Sequence, residues 1–131
     1  MLKKLTMKTN KKTSRDMPKE QIDSVSNLFS LLSHSIRIKI LWLLKKEKSL
    51  NVTEIQKELN ISQSSASQHL HLLKLNKLII EERKGKEVYY SLVASKNISK
   101  VLSSALQLIG CQLAINNELL STYSEIASFW I

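Results

Sequence analysis

The feature that most constrains the fold is a pair of short helical segments between Thr53 and Asn76. Thr53 has the position of a helix N-cap, with Gln56 three residues later in capping-box spacing. A tight turn follows, and Ser62 then has the position of a second N-cap. The second helix carries an apolar stripe formed by Ala66, Leu70 and Leu73. Two short helices joined by a tight turn are typical of a helix-turn-helix.

The outward face of the second helix holds candidate DNA-reading residues. They are short hydroxyl or amide side chains, followed by one histidine: Gln63, Ser64, Ser65, Ser67, Gln68 and His71. Small polar side chains allow a helix to enter the major groove, and Gln pairs with adenine through two hydrogen bonds. The alternative interpretation is a polar helix face that contacts only water.

A β-hairpin is predicted directly after these helices. Residues 78–83 and 88–92 have strand composition, and the glycine in the link 84–86 supplies the positive φ that a tight turn needs. The basic residues around the tip are Arg83, Lys84 and Lys86. They are candidates for phosphate or minor-groove contacts, whereas a solvated tip is the alternative. The pattern as a whole predicts a winged helix-turn-helix.

Helical periodicity also flanks the winged unit on both sides. Residues 20–32 and 36–46 predict two helices separated by a capping residue at His34-Ser35, and an apolar helix starts near Asn97. With 2 Gly and 1 Pro in 131 residues, the chain has the composition of a mainly α protein with a small antiparallel hairpin. Because one small domain cannot bury both terminal apolar faces, we expect a homodimer formed through the terminal helices.

The positive charge is unevenly distributed along the chain. The net charge is +9, and residues 103–131 contain no Lys or Arg. Residues 1–18 are interpreted as a flexible basic arm, and residues 19–131 as the winged-helix domain for DNA binding and dimerisation. A basic balance favours an anionic partner, and we expect this partner to be double-stranded DNA.

Several classes of protein are not expected. The longest apolar run, residues 40–44, is much shorter than the roughly 20 residues of a membrane span. One cysteine cannot form an intrachain disulfide, and with no signal peptide a cytoplasmic location is expected. No catalytic arrangement stands out, so neither an enzyme nor a cofactor is expected. The three histidines, His34, His69 and His71, match no zinc motif, and no metal site is predicted.

Three segments resemble the ArsR/SmtB family of bacterial transcriptional repressors. They are residues 31–41 (LLSHSIRIKIL), 62–70 (SQSSASQHL) and 87–92 (EVYYSL). The resemblance covers about residues 20–112 and is closest to the HlyU, BigR and SqrR branch. It implies a homodimeric winged helix that binds an operator and leaves it when an inducer is sensed.

The sequence departs from this family at its sensing sites. A Cys-rich metal motif of the family would fall on residues 50–54, which contain neither Cys nor His, and residues 97–115 lack Asp, His and Glu. The resemblance therefore implies a regulator without the usual metal sites. Members of the branch sense oxidants through two Cys, whereas here Trp42 takes the position of one and Cys111 stands alone. Cys111 is a candidate thiol sensor, with a packed apolar side chain as the alternative.

Two functions remain open from the sequence. The first is a dimeric, sequence-specific DNA-binding regulator, in particular a repressor, whose operator is an imperfect inverted repeat with half-sites about one or two helical turns apart. The second is an anti-repressor or protein-interaction winged helix that competes with other DNA-bound proteins. A clear preference for one duplex over random DNA separates the two.

Overall fold

A computed structural model describes residues 16–115, with side chains through residue 110. Within this range the chain forms five helices and three short strands. In order they are α1 (Lys19–Leu32), α2 (Ser35–Glu47), β1 (Leu50–Asn51), α3 (Val52–Leu59), α4 (Gln63–Leu75), β2 (Ile79–Lys84), β3 (Glu87–Leu92) and α5 (Ser95–Ile115). A mainly α winged helix-turn-helix with a small antiparallel sheet is confirmed.

The core lies where α2, α3 and α4 meet the base of the hairpin. The largest side chains with less than 2% exposure come from these elements: Ile40, Leu41, Leu44, Ile55, Leu70, Leu73 and Ile79. The rest of the cluster is Leu31 of α1, Leu43 of α2, Leu50 of β1, and Ile98 and Leu102 of α5. Because burial of apolar surface is stabilising, this shared core holds the two helices of the helix-turn-helix in a fixed relation.

Helix α3 begins two residues earlier than the sequence pattern suggested. The N-cap is Asn51, whose side-chain oxygen accepts a hydrogen bond from the Glu54 N–H over 2.9 Å. The Glu54 carboxylate in turn accepts from the Asn51 N–H over 2.8 Å, which completes a capping box. The expected cap at Thr53 with Gln56 is therefore wrong. Thr53 lies inside the first turn of the helix.

The small sheet contains one strand that the sequence pattern did not reveal. The strand order is β1-β3-β2, and both pairs are antiparallel. Two residues of β1 pair with the middle of β3, in the register Leu50↔Tyr90 and Asn51↔Tyr89. The hairpin closes at the pair Lys84↔Glu87, and Gly85 in the turn has a φ of +66°. The predicted hairpin is thus confirmed, with a third strand at its root.

Several elements end at non-glycine residues with positive φ. Lys48, Asn60, Lys77 and Ala94 have φ values of 72°, 52°, 59° and 49°. After α4 the left-handed residue is Lys77 and not Asn76, although asparagine tolerates this geometry better than lysine. Asn76 keeps a φ of −88°, and its side-chain amide donates to the Leu72 carbonyl over 2.8 Å. This bond closes the last turn, so the chain reverses one residue later.

Helices α1 and α5 leave apolar side chains exposed. On α1 the exposed residues are Ile22, Val25 and Phe29, and on α5 they are Leu108 and Ile109. Phe29, Val101, Ala105 and Leu108 line an open groove between the two helices. Within residues 16–115, no helix is both long and apolar enough to cross a lipid bilayer.

Candidate nucleic-acid interface

Helix α4 is anchored by one face and exposed on the other. The predicted apolar stripe, Ala66, Leu70 and Leu73, is at most 1% exposed. Ser62 caps the helix, because its hydroxyl oxygen accepts a hydrogen bond from the Ser65 N–H over 3.1 Å. The cap and the buried stripe together fix which side chains face outward.

The outward face of α4 gathers most of the predicted reading residues. Gln63, Ser64, Ser67, Gln68 and His71 are all exposed. Ser65 is half-buried and lies at the edge of the face, on the side that carries His69. Short polar side chains on a protruding helix are what base contacts in a major groove require.

The three predicted basic residues surround the exposed tip of the hairpin. Arg83, Lys84 and Lys86 are all exposed, and Gly85 forms the turn between them. The Arg83 side chain donates to the Gly85 carbonyl over 3.3 Å. The Lys84 ammonium lies 5.3 Å from the centre of the Tyr89 ring, at a distance where a cation is attracted to the ring face. The tip is therefore positively charged and free of apolar cover.

A cleft separates α4 from the hairpin and shows that they lie side by side. Ser67, His71 and Lys74 line it from the helix, and Glu81 and Tyr90 line it from the strands. Lys74 forms an ion pair with Glu81 across the cleft. Burial and the Glu81 carboxylate raise the pKa of Tyr90, and Lys74 opposes part of this rise. Sequence reasoning missed this ion pair, because the two residues belong to different elements.

A cluster of basic side chains joins α1, α2 and α4 behind the reading face. The rings of His34 and His69 are 4.4 Å apart, and the Arg37 guanidinium lies 3.4 Å from Nδ1 of His69. His34 caps α2, since its Nδ1 accepts a hydrogen bond from the Ile36 N–H over 3.2 Å. Burial, together with His34 and Arg37, lowers the pKa of His69 below its ordinary value of 6.5. The neutral imidazole is therefore the favoured form.

Arg37 has a structural position that the sequence did not indicate. By sequence, the basic residues of α2 are either phosphate contacts or solvated side chains; they are Arg37, Lys39, Lys45 and Lys46. The Arg37 guanidinium donates to the carbonyls of Leu31 and Ser30 at the end of α1. The Ser30 carbonyl also accepts from the N–H and the hydroxyl of Ser33, so Arg37 adds to the C-terminal cap of α1. A basic residue a few positions after the end of a helix is the sequence signal that could have indicated this cap.

Comparisons with known proteins match this geometry. A family model described as a helix-turn-helix domain matches residues 32–82. Over 71 residues the chain is 38% identical to the transcriptional repressor PagR of Bacillus anthracis, covering 54% of this chain and 71% of PagR. It is 32% identical over 89 residues to the repressor SmtB of Mycobacterium tuberculosis, covering 68% of this chain and 64% of SmtB. The chain belongs to the ArsR/SmtB family.

Solved structures agree with this assignment. The crystal structure of PagR aligns with a TM-score of 0.55 and 36% identity, covering 65% of this chain and 99% of PagR. The repressor BigR from Xylella fastidiosa aligns with a TM-score of 0.57 and 28% identity, covering 71% of this chain and 96% of BigR. As an ArsR/SmtB protein, the chain is a DNA-binding transcriptional regulator.

The residues at the family's metal position do not fit a thiolate site. Residues 50–54 contain no Cys or His. In the structure Leu50 is buried, and Asn51 and Glu54 use their side chains to cap α3. In the described part of the chain, no three His, Cys, Asp or Glu side chains come close enough to hold a metal ion.

Two predicted features lie outside the described residues. One is the basic segment 1–15, and the other is the side chain of Cys111, whose backbone belongs to α5. Trp42, which the sequence resemblance sets at the position of a second sensing cysteine, is 37% exposed on α2. The Lys46 ammonium lies 5.4 Å from the centre of the Trp42 ring.

Proposed function

We propose that this ArsR/SmtB protein is a homodimeric, sequence-specific repressor that binds an imperfect inverted repeat. The observation that supports this most is the exposed polar face of α4 beside a hairpin that carries an exposed basic tip. The first can read base edges while the second contacts the phosphate backbone. The proposed contact residues are Gln63, Ser64, Ser65, Ser67, Gln68, His71, Arg83, Lys84 and Lys86.

The exposed apolar faces of α1 and α5 support the homodimer. Phe29 is 58% exposed and Leu108 is 66% exposed, although both are large apolar side chains. They lie on the same groove, so a second copy covers both at once. A twofold dimer presents two reading helices and therefore requires two half-sites. The proposal also includes a basic arm at residues 1–18 and a winged-helix domain at residues 19–131.

Binding to DNA places the proposed site of action in the bacterial cytoplasm, where the chromosome is. The decisive experiment is DNase footprinting on the DNA upstream of the protein's own gene, followed by competition with a random duplex of the same length. We expect protection of an inverted repeat by two protomers, with affinity at least about 10³-fold above that for random DNA. Equal affinity for both duplexes would contradict sequence-specific binding and favour the protein-interaction alternative.

We also propose that DNA binding does not respond to oxidation of a thiol. The supporting observation is the single cysteine in the whole sequence, with Trp42 at the expected partner position. Gel-shift titrations of wild type and Cys111→Ser, with and without peroxide or polysulfide, test this. We expect operator affinities within about threefold of each other in all four titrations, because a chain with one cysteine cannot form the intrachain pair. Release by oxidant in wild type but not in Cys111→Ser would contradict it.

A further inference from the structure

The hairpin extends beyond the support of the third strand. Strand β1 pairs with β3 only at Tyr89 and Tyr90, so residues 83–88 lie past its end. On β2, Ile79 is buried and every later residue is exposed. A two-stranded hairpin without further packing is marginally stable in water. A separate contact is needed to fix the direction in which the tip points.

One carboxylate provides such a contact at the start of β3. Oε2 of Glu87 accepts a hydrogen bond from Nδ2 of Asn51 over 3.0 Å. The same oxygen accepts a hydrogen bond from the Tyr89 hydroxyl over 2.9 Å. Glu87 is the first residue after the turn, and Asn51 is the N-cap of α3. The bond to Asn51 therefore extends the attachment of β3 two residues beyond its last pair with β1.

Asn51 is a rigid point of attachment. It is 9% exposed, and its side-chain oxygen is occupied by the Glu54 N–H. This bond fixes the orientation of the amide, because the reverse orientation would set two donors against each other. The Asn51 amide nitrogen is consequently directed toward Glu87. Since α3 packs against α4, the anchor has a fixed position relative to the reading helix.

We propose that Glu87 is a positioning residue that ties the wing, which is the β2–β3 hairpin, to the cap of α3. It thereby holds Lys84 and Lys86 against DNA phosphates. This rests on the proposed function, because it assumes that the wing contacts DNA. Glu87 follows Lys86 in the chain and pairs with Lys84 across the hairpin. A carboxylate beside these lysines repels phosphate, so direct DNA contact does not account for its presence there. Because the tether holds the tip in place before DNA binds, the tip loses less conformational freedom on binding.

The neighbouring tyrosine links the anchor to the tip. Tyr89 donates its hydroxyl proton to Glu87, while the Lys84 ammonium lies over its ring. The hydrogen bond to Glu87 raises the pKa of Tyr89, and the nearby Asn51 side chain opposes part of this rise. The contacts therefore run from Asn51 through Glu87 and Tyr89 to Lys84.

A matched pair of variants tests the role of Glu87. Glu87→Ala removes the tether, and Glu82→Ala removes the same charge from the opposite strand of the same hairpin. Glu82 is paired with Tyr89 in register and exposed, and its carboxylate forms no hydrogen bond or ion pair within residues 16–110. Any difference between the two variants therefore reports the tether and not the lost charge.

For Glu87→Ala we expect operator affinity to fall roughly three- to tenfold and the slope of log affinity against log salt to decrease by about 1 to 2, because one or two phosphate contacts are lost. Glu82→Ala should keep the wild-type slope and bind as well as wild type or better. Glu87→Gln retains an acceptor and should lie between wild type and Glu87→Ala. Equal slopes for Glu87→Ala and Glu82→Ala would overturn the proposal.

Hydrogen exchange without DNA gives a readout that does not depend on the proposed function. The amides of residues 83–88 should exchange faster in Glu87→Ala than in Glu82→Ala, at equal thermal stability of the two proteins. Tyr89→Phe, which keeps the ring but removes one donor to Glu87, should show a smaller increase. Unchanged exchange in Glu87→Ala would overturn the tether even if the wing is shown to bind DNA. If the tether is confirmed but the wing lysines do not affect DNA binding, the tether is kept. The proposed contact between the wing and DNA is then wrong.

Discussion

Helix α4 and the β2–β3 hairpin lie beside each other, but different forces hold them in place. The helix is anchored by Ala66, Leu70 and Leu73, which are essentially excluded from water. The hairpin contributes Ile79 to the core, and Tyr90 and Leu92 pack partly buried against it. Its tip is held by strand pairing and by polar contacts such as Glu87 with Asn51. Damage to the helix anchor should therefore appear as lost stability, whereas damage to the hairpin tip should appear as altered DNA binding.

The largest expected effect comes from the anchor of α4. Leu73→Ala removes a side chain with 0% exposure and should lower the free energy of unfolding by about 2 to 5 kcal/mol. Leu75→Ala makes the same substitution two residues later, where the side chain is 66% exposed, and should change stability by less than about 0.5 kcal/mol. Urea denaturation of both variants measures the difference. Similar losses would show that one-sided burial does not anchor the helix.

The reading face of α4 should affect specificity without affecting the fold. Gln68→Ala should cost roughly 1 to 3 kcal/mol of binding free energy on the operator, because a side chain that can bond two groups of adenine is lost. Binding to random DNA should stay nearly constant, since phosphate contacts are untouched. Parallel titrations on the operator and a random duplex provide the test. Equal losses on both would exclude a base-reading role for Gln68.

The wing should show the opposite pattern. Replacing Arg83, Lys84 and Lys86 together with Ala should weaken binding to every sequence and reduce the salt slope by about 0.9 for each phosphate contact that is lost. Lys96→Ala serves as a control, because this exposed lysine follows the other end of β3. Measurements of affinity at several salt concentrations separate the two variants. An unchanged slope in the triple variant would mean that the tip stays in solvent.

The smallest expected effect is a pH dependence of stability at His69. Its pKa in the folded protein is lowered, so the unfolded chain binds more protons than the folded one just below the ordinary value of 6.5. Stability should therefore fall as the pH drops from about 7.5 to about 5.5, where an unperturbed imidazole takes up its proton. The loss should be smaller in His69→Gln. His71→Gln removes an exposed imidazole from the same helix and should behave like wild type in thermal melts at both pH values.

Local patterns were sufficient to predict much of the fold. The stripe of Ala66, Leu70 and Leu73 repeats at helical spacing, and the glycine at position 85 marks the turn, so α4 and the hairpin follow from nearby residues alone. The face of α4 follows from the same spacing. This explains why five of the six predicted reading residues on α4 are exposed, and why Ser65 at the edge is not.

What the sequence could not predict depends on contacts between distant residues. Both Asn51 with Glu54 and Thr53 with Gln56 have capping-box spacing, and the choice between them is made by strand β1, which pairs with β3 almost forty residues later. The sequence places Arg37 as a basic residue on a helix surface. Its contacts with α1 and α4 depend on how these helices pack around it. Long-range pairing of this kind leaves no periodic trace in the chain.

The joint formed by Arg37 has a consequence for the arrangement of binding sites along a genome. Its guanidinium connects the end of α1 to His69 on α4, so the helix proposed for dimerisation and the helix proposed for reading are tied together. In such a dimer the separation of the two reading helices has little freedom to vary. One extra base pair between half-sites moves them apart by about 3.4 Å and rotates them by about 35° around the DNA axis. A stiff joint does not absorb that change, so insertions and deletions between half-sites should be selected against as strongly as base changes within them.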